Sequence, residues 1–141
     1  MDIQFKQLTI LDIDLIVDIM IRFSDNNASK EILISRFKDM FTENYECFGV
    51  FNADQLIGIC GVWYMTRHYS GKSAELDHVY LNESYRGKGI GKQFLKWLYR
   101  YLKNNGKEMV ELNTYVTNHP SHKFYYNEDF KILGYHFLKK L

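Results

Sequence analysis

A glycine-rich turn is the part of the sequence whose residue types point most directly to chemistry. Residues 85–92 read Tyr-Arg-Gly-Lys-Gly-Ile-Gly-Lys and join a predicted strand to a long predicted helix. Glycines let the backbone approach an anion without a Cβ in the way, and the first N–H groups of a helix have no intrahelical partner. The helix dipole and the cations Arg86, Lys88 and Lys92 favour an anion further. The turn therefore predicts a site for a phosphate-like group.

Two common phosphate motifs do not fit this turn. The dinucleotide fingerprint G-x-G-x-x-G requires a glycine where Lys92 stands. The P-loop motif G-x-x-x-x-G-K-[ST] fails because position 92 is not glycine and no Ser or Thr follows that lysine. The pattern that remains is R-x-x-G-x-G, formed by Arg86, Gly89 and Gly91. A nucleotide-binding protein that uses the same turn for ATP or NAD is an alternative left open.

Two carboxylates precede the turn on a strand predicted over residues 73–81. Glu75 and Asp77 alternate with Val79 and Leu81, so a regular strand directs all four to one face. His78 lies on the opposite face of a regular strand, whereas a bulge would reverse that parity. The alternative for both carboxylates is that they are solvated strand residues without a chemical role.

A second motif lies downstream, where Asn118 and Tyr125 stand seven residues apart. A short helix is expected to start after Asn118, with Pro120 in its first turn. His119 and His122 could share one face of this helix as metal ligands do, but no third ligand is evident. We therefore expect no metal site.

Composition limits the kind of protein. The chain has 141 residues, of which 46% are hydrophobic and 25% charged. This balance is typical of a globular protein, and the length suits a single domain over residues 1–141. The net charge of +1 gives no global field for nucleic acid or an anionic membrane, so we expect neither partner.

The N-terminal residues and the cysteines indicate the compartment. Charges interrupt the apolar start of the chain, which therefore resembles neither a signal peptide nor a membrane span. Cys47 and Cys60 lack C-x-x-C spacing and are expected to be buried thiols, with a disulfide between them left open. We expect a cytoplasmic protein.

Apolar periodicity predicts an α/β fold in which helices flank a mixed central sheet. The predicted order is β-α-α-β-β-β-α-β-α-β, and the last element is a strand over residues 132–138. In the second helix Ile32, Phe37, Met40 and Phe41 are expected to face the core. The other predicted strands cover residues 3–8, 47–51, 56–64, 73–81 and 109–116, and the helices residues 11 to about 26, 29–41, about 90–104 and a stretch after 119.

Taken together, the two motifs resemble those of the GNAT superfamily of N-acetyltransferases. In that family R-x-x-G-x-G follows the fourth strand and opens the third helix, as the glycine turn does here. Residues 118–130 resemble the family pattern N-x-x-A-x-x-[FL]-Y-x-x-x-G-F, with Asp129 in place of the glycine. If that glycine has a positive φ, aspartate tolerates it better than most residues do. The element order is also the family's, so the resemblance covers essentially the whole chain.

The resemblance implies acetyl-CoA as co-substrate. The backbone of the fourth strand would bind pantetheine, and the Val79 N–H would also polarise the thioester carbonyl. The glycine turn would hold the pyrophosphate, and Asn118 matches a residue that contacts the cofactor arm. The residues implied in cofactor binding are Val79, Tyr80, Leu81, Arg86, Gly87, Lys88, Gly89, Ile90, Gly91, Lys92 and Asn118.

The resemblance also implies catalytic roles. Tyr125 matches the general acid that protonates the leaving thiolate, and Tyr126 is the alternative in a shifted register. An amine is mostly protonated near neutral pH and must lose a proton before it attacks. In relatives a glutamate at the position of Glu75 or of Asp77 removes that proton, usually through water, and Asp77 matches the residue of polyamine-type members. His78 is a lesser alternative.

The function implied is transfer of an acetyl group from acetyl-CoA to a primary amine of a small molecule, such as a polyamine or amino acid. The amine would attack directly in a ternary complex. The alternatives are a protein or peptide N-acetyltransferase, and a module of the same fold that senses CoA or binds a protein without catalysis. The resemblance is also compatible with a homodimer.

Overall fold

The structure, a computed structural model, describes residues 1–23 and 28–141. The predicted end of the first helix near Asn26 lies outside the described residues. Single 3-10 turns cover Ile10–Asp12 and Glu83–Tyr85. The strands are β1 (Ile3–Leu8), β2 (Tyr45–Asn52), β3 (Gln55–Arg67), β4 (Gly71–Leu81) and β5 (Met109–Leu112), and the helices are α1 (Ile13–Phe23), α2 (Lys30–Met40), α3 (Ile90–Asn104) and α4 (His119–Asn127).

The five strands form one sheet in the order β1-β2-β3-β4-β5. The first four strands pair antiparallel. Short turns join β2 to β3, after Asn52, and β3 to β4, whereas α1 and α2 lie between β1 and β2. β5 lies next to β4 and follows it through α3, a crossover of the kind that joins parallel neighbours. The predicted α/β class with a mixed sheet is confirmed.

Helices cover both faces of the sheet. One face packs against α1 and α2 in a core that includes Ile16 and Val17, which are fully buried. The other face packs against α3, where the Phe48 ring lies 5.0 Å from Tyr101 between centroids. In α2 the buried residues are Leu33 and Phe37, so the prediction that Ile32 faces the core is wrong. Phe37, Met40 and Phe41 pack against the core as predicted. Leu33 lies one helical turn before Phe37 on the same face and takes the inward position that was expected for Ile32.

The strand predicted over residues 132–138 is wrong. Residues 131–141 have no regular secondary structure, and their large apolar side chains are exposed, including Ile132 at 91% and Phe137 at 90%. A strand exists only when a neighbouring strand completes its hydrogen-bond ladder. Within the described chain no strand pairs with this segment, so its apolar pattern alone does not produce one.

The chain divides into two compact units, residues 1–111 and residues 112–141. Each unit is described by itself below. Among the described residues, every helix is too short or too polar to cross a lipid bilayer.

Candidate functional site

The glycine turn before α3 presents an open surface lined by backbone N–H groups. Gly87 and Gly89 have φ values of 73° and 79°, left-handed conformations that glycine adopts without steric cost. A Cβ placed on either glycine meets no atom within 4 Å, so a ligand can approach the backbone here. Gly89 caps α3 without a side chain, and the first turn of α3 has no acidic residue. Because the first intrahelical bond starts at Gln93, the N–H groups of residues 90–92 are directed out of the helix end.

Arg86 braces this turn. Its Nε donates to the Leu81 carbonyl at 2.9 Å, and its Nη1 lies 3.7 Å from the Glu83 carboxylate. A guanidinium has five N–H donors, so these contacts leave donors for an anion. Lys88 lies over the Tyr85 ring at 5.8 Å from its centroid. The turn therefore combines outward N–H groups with local positive charge, the surroundings that a phosphate group requires.

β4 extends past β5 at the end that leads into the turn. The Glu108 N–H donates to the Lys72 carbonyl at 2.7 Å, so β5 begins beside the first residues of β4. β5 has 4 residues and β4 has 11, so β5 cannot reach the end of β4. Among the described residues of 1–111, the last residues of β4 thus pair with β3 on one side and with no strand on the other side. Val79, Tyr80 and Leu81, expected to bind pantetheine through the backbone, lie in this part.

A β-bulge interrupts β4 directly after Asp77. Gly61 pairs with Asp77 and Ile59 pairs with Tyr80, so two residues of β4 oppose one residue of β3. His78 has a φ of 36°, an uncommon value for a residue with a Cβ. The alternation predicted for a regular strand therefore ends at Asp77, and placing Val79 and Leu81 in phase with the two carboxylates is wrong. His78 lies on the face of Asp77, as expected for a bulge.

The His78 ring occupies the space over Gly61. A Cβ on Gly61 would come within 2.1 Å of Nε2, so only glycine leaves room for the imidazole. Nε2 lies 2.7 Å from the Tyr45 hydroxyl, and the ring packs edge-on against Phe37 at 5.4 Å. Burial lowers the pKa of His78, and the Asp77 carboxylate opposes this shift only in part. The imidazole is therefore neutral at neutral pH.

The Asp77 carboxylate is exposed and held at both oxygens. Oδ1 accepts the His78 backbone N–H at 2.8 Å, and Oδ2 accepts the Trp63 indole N–H at 3.1 Å. Each carboxylate oxygen retains a further lone pair for a water or a ligand. Asp77 is thus an oriented acceptor that solvent can reach.

Glu75 lies in a different electrostatic setting. Its carboxylate is 3.8 Å from Arg67 Nη2, and Arg67 Nε lies 3.2 Å from Glu111. Glu111 also accepts hydrogen bonds from the Tyr69 hydroxyl at 2.5 Å and from Ser73. Arg67 thus compensates the charge of Glu75. Among the described residues, no cation forms an ion pair with Asp77.

Glu111 makes the stability of the first unit dependent on pH. Burial acts to raise its pKa, but the hydrogen bonds from Ser73 and Tyr69 and the charge of Arg67 outweigh burial, so its pKa is lowered. A carboxylate with a lowered folded pKa stabilises the fold above its unfolded pKa, and this contribution is lost as the pH falls through the folded pKa. We expect Glu111→Gln to reduce the free energy of unfolding by about 2 kcal/mol at neutral pH.

Thermal denaturation at a series of pH values tests this prediction. The difference between Glu111→Gln and the unmutated chain should vanish in acid. Glu83→Gln is the control, because the Glu83 side chain is 83% exposed and its ion pair contributes little. A difference for Glu111→Gln that persists unchanged in acid would contradict the assignment.

In the second unit Asn118 begins α4. Its side-chain oxygen accepts the Ser121 N–H at 3.3 Å, and Pro120 stands in the first turn, as predicted. The His122 Nε2 lies 2.8 Å from the Tyr115 carbonyl oxygen. Among the described residues, no three His, Cys, Asp or Glu side chains lie together as metal ligands would.

Tyr125 and Tyr126 differ in their surroundings. The Tyr125 ring is half-buried and packs against Phe130 at 5.6 Å, whereas Tyr126 is 76% exposed. Packing fixes the orientation of Tyr125 within its own unit, which favours it over its neighbour as a residue with a defined role. Asp129 has a φ of 65°, the positive value expected where the family pattern has glycine.

In the first unit Glu75 and Asp77 lie along β4, and the glycine turn follows the end of that strand. Asn118, the N-cap of α4, and Tyr125, within α4, lie in the second unit. The sequence did not indicate the partners of the two carboxylates, which are Arg67 for Glu75 and Trp63 for Asp77. It also did not indicate Tyr45, which contacts His78, or Glu111, which contacts Arg67. The signal that could have indicated the bulge is Gly61, because an isolated glycine within a strand often marks a bulge or a close approach.

Solved structures of acetyltransferases share this fold. The ribosomal-protein-alanine N-acetyltransferase from Brucella melitensis has a TM-score of 0.81 at 15% identity, with 100% of both chains covered. The aminoglycoside N-acetyltransferase AAC(6')-Iy, solved in complex with CoA, has a TM-score of 0.84 at 13% identity, covering 99% of this chain and 94% of that one. At such identities the likeness establishes the fold.

Sequence comparison identifies the family. The chain is 30% identical over 74 residues to the aminoalkylphosphonate N-acetyltransferase of Salmonella typhimurium, a match that covers 52% of this chain and 48% of that protein. The chain thus matches about half the length of this curated relative. Residues 13–130, which include the bulge, the glycine turn and α4, match the Acetyltransferase (GNAT) family. The chain therefore belongs to the GNAT family of acetyltransferases.

Proposed function

We propose that the chain is an N-acetyltransferase that transfers the acetyl group of acetyl-CoA to a primary amine of a small molecule. The observation that carries this proposal is the junction between β4 and α3. There the exposed, oriented carboxylate of Asp77 lies near the end of β4, and an open turn of outward N–H groups follows that strand. A base for the amine and an anion site for the co-substrate thus lie in consecutive segments.

The pyrophosphate of acetyl-CoA is proposed to bind the turn from Arg86 to Lys92. The open space over Gly87 and Gly89 fits this role, because any side chain there would occupy the volume that the phosphates need. Backbone groups of Val79 to Leu81 would hold pantetheine along the edge of β4 that extends past β5. Asn118 would contact the cofactor arm.

Asp77 is proposed as the base. The amine must be neutral to attack, and Asp77 would take its proton directly or through one water. The C–N bond would form first and leave an oxyanion, which the Val79 N–H would stabilise. The C–S bond would then break, and the nitrogen would release its second proton to water. Tyr125 would give its proton to the departing thiolate. Support for Asp77 over Glu75 comes from their contacts: the Glu75 carboxylate forms an ion pair with Arg67, whereas the Asp77 carboxylate is exposed to solvent and is oriented by two hydrogen-bond donors.

Replacing Asp77 with asparagine is expected to lower kcat/KM for the amine by about a hundredfold, since a positioned base contributes about that much. Glu75→Gln is the matched control on the same face of the same strand, and we expect a change below about threefold. Acetyl-CoA affinity should stay unchanged in both. Steady-state thiol release measures kcat/KM for both variants, and titration calorimetry measures their affinity for acetyl-CoA. An unimpaired Asp77→Asn variant would remove Asp77 from the mechanism.

A thiol-release assay with acetyl-CoA across a panel of amines tests the proposed function. The panel includes polyamines and amino acids, and also an aminoalkylphosphonate, an aminoglycoside and a peptide with N-terminal alanine, because similar proteins carry these names. Release with one small amine supports the proposal, and release with the peptide alone indicates a peptide acetyltransferase. Tight CoA binding without any release indicates a sensor. ATP or NAD binding equal to that of CoA would contradict the cofactor assignment.

The two cysteines support a reducing compartment. Cys47 and Cys60 are free and fully buried, and burial raises the pKa of Cys47 to about 12. Such thiols are unreactive and serve as core residues. We propose that the reaction takes place in the cytoplasm.

A further inference from the structure

Tyr45 contacts the bulge in β4 from beneath. Its side chain is 5% exposed, and its ring is held by Trp63 at 4.9 Å and Phe41 at 5.3 Å between centroids. Its hydroxyl lies 2.7 Å from His78 Nε2. Burial raises the pKa of Tyr45, so the hydroxyl keeps its proton and remains a hydrogen-bonding partner. We name this pair the Tyr45–His78 contact.

His78 needs such a contact because its backbone is strained. A residue with a Cβ adopts a φ of 36° only where its surroundings hold it there. The His78 ring packs against Phe37 on one side and lies directly over Gly61, where a Cβ would leave it no room. The hydrogen bond to Tyr45 fixes the ring within this space and thereby the conformation of the bulge.

The bulge in turn orients Asp77. In a regular strand a backbone N–H is directed at the neighbouring strand, but a bulge releases the extra residue from the ladder. The released N–H of His78 donates to Asp77 Oδ1 at 2.8 Å. The other oxygen is held by Trp63, which also packs on Tyr45. Tyr45 thus contacts both His78 and Trp63, the two residues that donate hydrogen bonds to the Asp77 carboxylate.

We propose that Tyr45 is a positioning residue of the reaction, which acts through His78 and the bulge to orient the Asp77 carboxylate. This inference rests on the proposed function, in which Asp77 is the base. Tyr45 itself is buried beneath the bulge and takes no part in proton transfer.

The test compares two variants, each of which lacks the hydroxyl group of one tyrosine. Tyr45→Phe keeps the ring and its packing but breaks the contact with His78. Tyr64→Phe is the matched control, because its hydroxyl also lies in the sheet and donates to Glu46 at 2.6 Å, on the face covered by α3. We expect Tyr45→Phe to lower kcat about tenfold or more, since small displacements of a catalytic group have effects of that order. KM for acetyl-CoA should be unchanged, and Tyr64→Phe should stay within about twofold of the unmutated rate.

A second readout is independent of activity. The chain has two tryptophans, and Trp63 donates to Asp77 whereas Trp97 packs against Phe48 on the opposite face of the sheet. In a ¹H–¹⁵N spectrum Tyr45→Phe should shift the indole signal of Trp63 and leave that of Trp97 in place. Tyr64→Phe should leave the Trp63 signal unchanged, and Trp97→Phe assigns the two signals.

Each outcome bears on the inference. A slower Tyr45→Phe variant with a shifted Trp63 signal supports it. An unchanged rate overturns it, and so does a slower rate with an unshifted Trp63 signal, because Tyr45 would then act by another route. If the unmutated protein releases no thiol with any amine, the proposed function fails. The spectra then still decide whether Tyr45 orients Asp77, and an unshifted signal overturns that part.

Discussion

Replacing Gly89 with valine is expected to abolish detectable binding of acetyl-CoA while the chain stays folded. Gly89 has a φ of 79° and stands at the N-terminus of α3, where the backbone must lie close to the pyrophosphate. A Cβ there meets no protein atom within 4 Å, so the side chain would fill the space that the ligand needs. We expect a loss of at least about a hundredfold in affinity, or about 3 kcal/mol. Titration calorimetry with acetyl-CoA and with CoA measures it.

Gly106 supplies a matched control at the other end of the same helix. It has the same φ of 79°, and a Cβ placed on it also meets no atom within 4 Å. Gly106→Val therefore introduces the same backbone strain, about 1–2 kcal/mol, without obstructing the turn. Both variants should lose comparable thermal stability, and only Gly89→Val should lose CoA. Normal affinity in Gly89→Val, or equal losses in both, would remove the glycine turn as the pyrophosphate site.

The Tyr125→Phe variant is expected to lower turnover by about a hundredfold, with little change in acetyl-CoA affinity. The departing thiolate needs a proton, and phenylalanine keeps the ring that packs on Phe130 but has none to donate. The effect should therefore appear in kcat. Steady-state thiol release combined with calorimetry separates the two quantities.

Tyr126→Phe is the control for this variant. It makes the same chemical change one residue along α4, on a side chain that is 76% exposed. Turnover within about twofold of the unmutated protein is expected. If Tyr126→Phe is slow and Tyr125→Phe is not, the shifted register is correct and the general acid is Tyr126.

Glu75 and Asp77, the two carboxylates on β4, have different surroundings in the structure. On a regular strand Glu75 and Asp77 are equivalent, since both lie on one face. In the structure Glu75 is drawn into an ion pair with Arg67, whereas Asp77 is held by backbone and indole donors and stays exposed. Their different surroundings support different roles, and the paired variants Asp77→Asn and Glu75→Gln measure that difference directly.

Much of the fold could be predicted from the sequence because its signals are local. Glycines at the turn, Pro120 at the start of α4 and apolar periodicity act within a few residues of chain. These signals predicted the α/β class and the order of the first nine elements, and the resemblance of the two motifs to the GNAT family predicted family membership. All of these predictions are confirmed. The roles of Arg86 to Lys92, Asn118 and Tyr125 stay predictions.

Tertiary structure decided the features that depend on residues distant in the chain. The bulge exists because His78 finds room over Gly61 and a hydroxyl on Tyr45, which lies 33 residues away. Glu75 is compensated because a hairpin brings Arg67 to it, and Glu111 joins them from the next strand. Residues 132–138 have a strand pattern, but no strand in the described part of the chain pairs with them, so they form no strand. Local sequence determines what a segment can become, and the partners that the fold brings to it determine whether it does.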